Sequence, residues 1–320
     1  MTRLVLGTTL AVILAVGSAA VSAQGGAAGE PAQRPQVFTS GVEAVVVNVT
    51  VRNGRGRVVR DLTRADFTVL DSGTEKPIAE FHAGSAPISL AVLLDISGSM
   101  GVGGNMNRAR EAVEVATAQL KDASDEASLF TFDSILRQVV PFTADLDRVR
   151  RVSLDGTPWG KTSLFDAIAS TARAVAERDN RHRAVLVITD GADTGSSLTA
   201  PEVSGIASAI DVPVYLLTVA NPVDHQESAL AATPSAKRVA NTATLEDLAY
   251  WTGGDMRVVS ARAHTIEELE DLFAEIRQHY VIIFEPDRRA GWHPLEIRTR
   301  NTNHVVRARS GYITAPRPGG

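Results

Sequence analysis

Ile88-Ser-Leu-Ala-Val-Leu-Leu-Asp95, continuing as Ile96-Ser97-Gly98-Ser99-Met100, is the stretch on which the fold turns. Residues 88–94 form a nearly unbroken apolar run, as a strand covered on both faces requires. The run ends on a carboxylate and a short loop of hydroxyls. In open α/β sheets, ligands bind just beyond the carboxyl ends of the strands. An acid and two hydroxyls spaced by two can face one point if the loop curls, and Gly98 is expected to permit the curl.

Downstream, strands and helices alternate. Helices are expected over 107–120, 164–176, 245–250 and 265–278, each with apolar residues at helical spacing. Strands are expected over 127–132, 138–142, 184–189, 212–220 and 256–259. Alternation of this kind implies a doubly wound, mostly parallel sheet of Rossmann-like α/β class. Two further polar points fall at its loops. Thr189-Asp190-Gly191 ends one strand, and Gly160-Lys161-Thr162-Ser163-Leu164 opens the helix before it. Carboxylate and hydroxyl oxygens suit a hard cation such as Mg²⁺.

The flanks read as β. Residues 42–51, 57–59, 67–70 and 78–81 are short strands, with turns at Asn53-Gly54 and Asp71-Ser72-Gly73. The C-terminal part supplies 280–284, 295–300 and 305–309, with turns at Gly291 and 301–303. Neither flank has enough strands for a stable sheet alone. The economical solution is a small β-sandwich made from N- and C-terminal segments (38–86 and 280–314), with the α/β domain (87–279) inserted between them and a tail at 315–320. A polar, alanine-rich insertion at 221–242 has no assigned place.

The beginning of the chain speaks to compartment. Arg3, an apolar run over 4–21 and Val21-Ser22-Ala23 describe a secretory signal peptide cleaved after Ala23. Gly17, Ser18 and the alanines make the run weak as a permanent span. Residues 24–37 read as a flexible linker. The expectation is an exported protein, periplasmic, secreted or envelope-associated, that meets the membrane only transiently. With 320 residues, a formal charge of −5 and a pI near 5.8, nothing favours a nucleic-acid partner. The Arg181-His182-Arg183 group reads as a solvated strand end. The absence of cysteine excludes disulfides, thiolate metal sites and a cysteine nucleophile.

Together Asp95-x-Ser97-x-Ser99, Thr162 in a Gly-x-Thr-x-Leu context, and Asp190 in Thr-Asp-Gly resemble the metal-ion-dependent adhesion site of the von Willebrand factor type A family, over about 88–279. The resemblance implies a metal held directly by the hydroxyls of Ser97, Ser99 and Thr162, with Asp95 and Asp190 acting directly or through water. It implies Mg²⁺, with Mn²⁺ or Ca²⁺ as substitutes. One coordination position would stay open for an Asp or Glu carboxylate of a protein partner, without catalysis. In that family the last helix can shift on ligand binding, which makes 265–278 a candidate switch. The flanks, including Asp61-Leu62-Thr63, Ala65-Asp66-Phe67 and the ending at Tyr312, resemble a group of bacterial exported proteins related to the same family.

Other readings compete. Asp95, Ser97 and Ser99 alone could cap the following helix. Asp193 reads as a turn residue, Lys161 as a surface charge and Asp133 as solvated. Trp159 is either a partner anchor or loop packing. Gly160-Lys161-Thr162 resembles the end of a P-loop, but the required earlier glycine falls at Asp155 and no buried strand leads in. A two-aspartate phosphatase would need an acid where Ser97 stands. A Gly-x-Ser-x-Gly serine hydrolase would need a glycine there. The histidines offer no zinc motif. A structural envelope subunit with a purely stabilising metal, and a magnesium-dependent hydrolase, are the alternatives.

Overall fold

In the computed structural model, which describes residues 44–122, 124–220, 244–287 and 289–314, the chain runs from β to α/β and back to β. Strands β1 (Val45–Arg52), β2 (Phe67–Asp71), β3 (Thr74–Lys76) and β4 (Ile78–His82) come first. Then follow β5 (Ile88–Asp95), α1 (Asn105–Ala118), β6 (Glu126–Phe132), β7 (Leu136–Thr143), α2 (Leu146–Arg150), α3 (Leu164–Ala176), β8 (His182–Thr189), α4 (Ala200–Ala209), β9 (Val214–Val219), α5 (Leu245–Thr252), β10 (Met256–Val259) and α6 (Arg262–Arg277). Strands β11 (Tyr280–Phe284), β12 (Gly291–Thr299), β13 (Val305–Arg307) and β14 (Gly311–Thr314) finish it. The expected signal peptide, linker, 221–242 insertion and tail lie outside the described residues.

Six strands make the central sheet, in the order β10-β9-β8-β5-β6-β7, parallel except for the edge strand β7. Every residue of β5 is buried, because both faces are covered. Leu90, Val92 and Leu94 pack with residues of α1, α2 and α6 such as Ala112, Val149 and Leu272. Ala91 and Leu93 point the other way, into a core with Ile168 of α3, Val203 of α4 and Leu248 of α5. The alternation follows from the period of two along a strand. From β5 the chain goes first to β6 on one side and later to β8 on the other. The loops after β5 and β8 therefore flank a topological switch point.

The flanking segments do pair with one another. One four-stranded sheet runs β13-β1-β11-β4 and the other β14-β12-β2-β3, so each mixes strands from both ends of the chain. Val47, Val49 and Ile282 from the first sheet share a core with Val69, Ile297 and Tyr312 from the second. A buried polar network ties the second sheet together. Asp71 accepts from Tyr312 Oη at 2.8 Å and faces His293 Nδ1 at 3.1 Å. Burial would raise the Asp71 carboxyl, but the Tyr312, Asp287 and His293 contacts hold it below its usual value.

Several local expectations are corrected. Asn53-Gly54 does not make a two-residue hairpin. Asn53 Oδ1 accepts from the amides of Arg55 and Arg57, giving a wider loop, and 57–59 supplies only a bridge between Val58 and Arg52. Gly291 begins a strand rather than a turn. Strands β3 and β14 and helix α2 are too short for a periodic signal, and helix α4 lies outside the expected elements although Val203, Ile206 and Ala207 fall at helical spacing. His182 is not a solvated strand end: it is buried beside His279, ring centroids 5.1 Å apart.

The sandwich meets the α/β core at the edge opposite the carboxyl ends of the strands. There β1 sends Arg52 Nε to Glu275 Oε2 at 2.9 Å and Thr50 Oγ1 to Glu275 Oε1 at 2.9 Å. Asp255 gathers Arg257, Arg307 and Arg52 at 2.6, 2.7 and 3.6 Å. Burial acts to lower the Arg52 guanidinium, but Glu275 and Asp255 outweigh it and hold it above its usual value. Glu275 is fully buried, so Arg52→Met leaves an uncompensated charge, expected to lower stability by about 3–5 kcal/mol. Arg52→Met combined with Glu275→Met recovers most of that loss in urea unfolding.

His182 and His279 give a pH signature. Burial, then the charges of Arg181 and Arg277, push His182 down to about 4, and burial with His182 pushes His279 well below its ordinary value. The unfolded chain takes up these protons near pH 6.5, whereas folded His182 does not until near 4 and folded His279 only well below its ordinary range. The unfolded state thus binds more protons across that window, and the histidines' contribution to stability falls as pH drops through it. The gap in unfolding free energy between wild type and His182→Gln is expected to shrink by about 3 kcal/mol from pH 7 to pH 4.

Candidate functional site

Asp95 sits on the last residue of β5, where the backbone leaves the sheet and its side chain remains fully buried. It accepts from the Ser97 amide at 2.8 Å and from the Thr189 hydroxyl at 2.6 Å. Ser97 Oγ and Ser99 Oγ lie 3.1 Å apart. Neither serine caps a helix through its side chain: α1 begins after Gly104, and the 3₁₀ turn at Gly98–Gly101 has no side-chain cap. The capping alternative for these residues therefore loses its structural basis. Among the described residues no Lys or Arg forms a salt bridge with Asp95.

Gly98 lies outside the left-handed region, so its value is not the expected backbone curl. Its amide donates to Gly160 O at 3.1 Å, and a Cβ on Gly98 would sit 3.3 Å from that oxygen. Close approach is what requires glycine here. Gly160 itself has φ +91°. This contact draws the loop of Thr162 against the loop of Ser97 and Ser99. Thr162 is 2 % exposed. Its amide donates to Thr194 Oγ1 at 3.0 Å, and its carbonyl accepts from the amides of Thr194 and Gly195 at 2.9 Å each. Asp190, half-buried, follows β8, and the charge on its carboxylate acts on Asp95.

Burial lifts the Asp95 carboxyl to about 6; hydrogen bonds from Thr189 and Ser97 oppose that, and Asp190 adds to it. A buried carboxylate beside hydroxyls, with a second acid nearby and no basic partner, is a hard-oxygen donor set fitted to a divalent cation. Among the described residues no group of three or more His, Cys, Asp or Glu stands ready for a metal. A set of two acids and three hydroxyls lies outside that description.

The neighbours sort themselves. Asp193 Oδ1 accepts from the Leu164 amide at 2.8 Å and from Ser196 Oγ at 2.6 Å, and so serves the first turn of α3 in place of Ser163. Lys161 is exposed, and no strand precedes it between α2 and α3, which removes the P-loop reading. Asp133 is not solvated: its side chain is 16 % exposed, accepts from the Ile135 amide at 2.7 Å and pairs with Arg137 at 3.1 Å. Trp159 does not pack into the loop; it is 81 % exposed. The sequence reading missed Thr189 as the group that holds Asp95, and Thr194 as the group that holds Thr162. Both are hydroxyls beside the motifs, distinguishable only once the loops are in space.

The family profile described as the von Willebrand factor type A domain matches residues 90–192. The match begins within β5, ends two residues beyond Asp190 and takes in all five candidate site residues. No curated protein matches the chain. Among solved structures, it is similar to the conserved hypothetical protein BatB from Bacteroides thetaiotaomicron, at 18% identity over 59% of this chain and 98% of that one, TM-score 0.45. An aerotolerance-related membrane protein from Bacteroides fragilis shows 19% identity over 59% and 98%, TM-score 0.45. A von Willebrand factor type A protein from Catenulispora acidiphila shows 12% identity over 86% and 75%, TM-score 0.44.

Asp193→Ala separates a capping residue from a ligand. Loss of the Leu164 and Ser196 hydrogen bonds is expected to lower the unfolding free energy by about 1–2 kcal/mol. As a capping residue and not a ligand, Asp193 should leave a calorimetric Mg²⁺ titration the same in the variant and the wild type.

Proposed function

We propose that Asp95, Ser97, Ser99, Thr162 and Asp190 hold one divalent cation, Mg²⁺ before Mn²⁺ or Ca²⁺, and that through it the chain binds a partner protein without catalysis. The hydroxyls of Ser97, Ser99 and Thr162 take the metal directly, and the two acids act directly or through water. The observation that carries this reading is Asp95: a fully buried carboxylate, beside two facing serine hydroxyls, with no Lys or Arg paired to it among the described residues. The match of residues 90–192 to the von Willebrand factor type A domain supports it. Two acids leave the cation electrophilic towards one more oxygen anion, which an Asp or Glu of the partner supplies. The signal-like pattern around Arg3 and Ala23 supports a place in the envelope or exterior.

Isothermal titration of the full chain with Mg²⁺ tests the cation. One site per chain is expected, weakened at least about tenfold in Ser99→Ala and lost in Asp95→Ala, with Ser99, only half-buried, guarding against a folding artefact. Equal heats in all three proteins would refute the site. Metal-dependent phosphoester turnover abolished by Asp95→Ala would instead support the hydrolase reading. A cation that raises the melting temperature but leaves partner capture unchanged in chelator would support the purely structural one.

A further inference from the structure

Three large apolar side chains stand in solvent on the loops that carry the candidate site. Trp159 is 81 % exposed, Val102 69 % and Ile135 59 %. Single exposed apolar residues are ordinary on a surface; three on adjoining loops beside one candidate site call for a reason.

Backbone contacts hold those loops together. The Trp159 amide donates to Ile96 O at 3.0 Å, and Gly98 donates to Gly160 O at 3.1 Å. A Cβ on Gly101 would lie 3.8 Å from the Pro158 side chain. On the other side the Ser163 amide donates to Asp133 O at 2.8 Å. A Cβ on Gly160 would lie 3.7 Å from that of Asp133. The loop of Trp159 therefore runs between the loop of Val102 and the loop of Ile135. Ser97 and Ser99 belong to the loop of Val102, and Thr162 to the loop of Trp159. Of the charges beside them, Lys161, two residues from Trp159, is exposed and free to meet an acidic visitor, whereas the acid Asp133 is paired with Arg137.

We propose that the partner is a protein loop in which the metal-binding carboxylate is immediately flanked by a bulky apolar side chain, the acid completing the cation and the apolar group packing on Trp159 between Val102 and Ile135. This rests on the metal reading and deepens it, because the rim sets which carboxylates bind. A carboxylate alone gives little discrimination, since every acidic protein surface offers one. Tryptophan is enriched among residues that dominate binding energy at interfaces, and burying one leucine-sized group against it is sufficient for a tenfold preference.

The probes are two cyclic peptides, each with one aspartate, followed by leucine in one and glycine in the other, titrated into the full chain in saturating Mg²⁺. The leucine peptide is expected to bind at least about tenfold tighter. Trp159→Ser should bring the two peptides to equal affinity while leaving the heat of Mg²⁺ binding as in the wild type, and Val102→Ser should narrow the difference. Equal affinities in the wild type, a preference that survives Trp159→Ser, or failure of both peptides to bind the Mg²⁺-loaded chain would overturn the proposal. A concentration-dependent dimer in sedimentation that Trp159→Ser abolishes would assign the rim to a second copy and overturn it as well. Absence of any Mg²⁺ heat in the wild type would refute the underlying metal reading, an outcome separate from failure of the peptide preference.

Discussion

A carboxylate buried at the end of a strand that is itself covered on both faces is the constraint on which the candidate site depends. Ile88 to Leu94 is apolar because helices cover both sides of the sheet. That burial carries Asp95 out of water at the point where the chain leaves the strand. Its Thr189 and Ser97 hydrogen bonds compensate only part of the desolvation, and the carboxyl is still lifted to about 6. A protein keeps such a group where something charged completes it. The loops of Ser97 and Thr162 are held together by a glycine-to-glycine contact that any side chain on Gly98 would crowd.

The far edge of the same sheet is built for attachment. Glu275 and Arg277, at the end of α6, are held by Arg52 and Asp125. Asp255 collects three arginines from β1, β10 and β13. The sandwich thus grips the end of the last helix, while the candidate site lies beyond the opposite ends of the strands. Any displacement of α6 would have to carry or break the Arg52–Glu275 pair. The polar network of Asp71, His293 and Tyr312 joins strands from the two terminal segments.

Much of this was legible in the chain because burial leaves a pattern. The run ending at Asp95, the helix at 164–176 and the strand at 256–259 appear where periodicity places them. The five candidate ligands were visible because their loops carry short motifs at strand and helix ends. What escaped was set by tertiary contact. Helix α2 is five residues long, too short for a periodic signal. His182 looks like part of a basic surface group until the fold buries it beside His279. Gly98 was expected to supply a bend and instead supplies an approach distance. Asp133 and Asp193 are chemically alike in sequence, and only their hydrogen bonds assign one to Arg137 and the other to the start of α3.

Crystallography of the Mn²⁺-soaked protein with anomalous scattering tests the central claim most directly. The account predicts a single strong peak bonded to the side-chain oxygens of Ser97, Ser99 and Thr162, at metal–oxygen distances of about 2.0–2.3 Å, with Asp95 and Asp190 within reach of it or of its waters. Density with no peak at that position in a saturating soak, or a peak held by other residues, would contradict it.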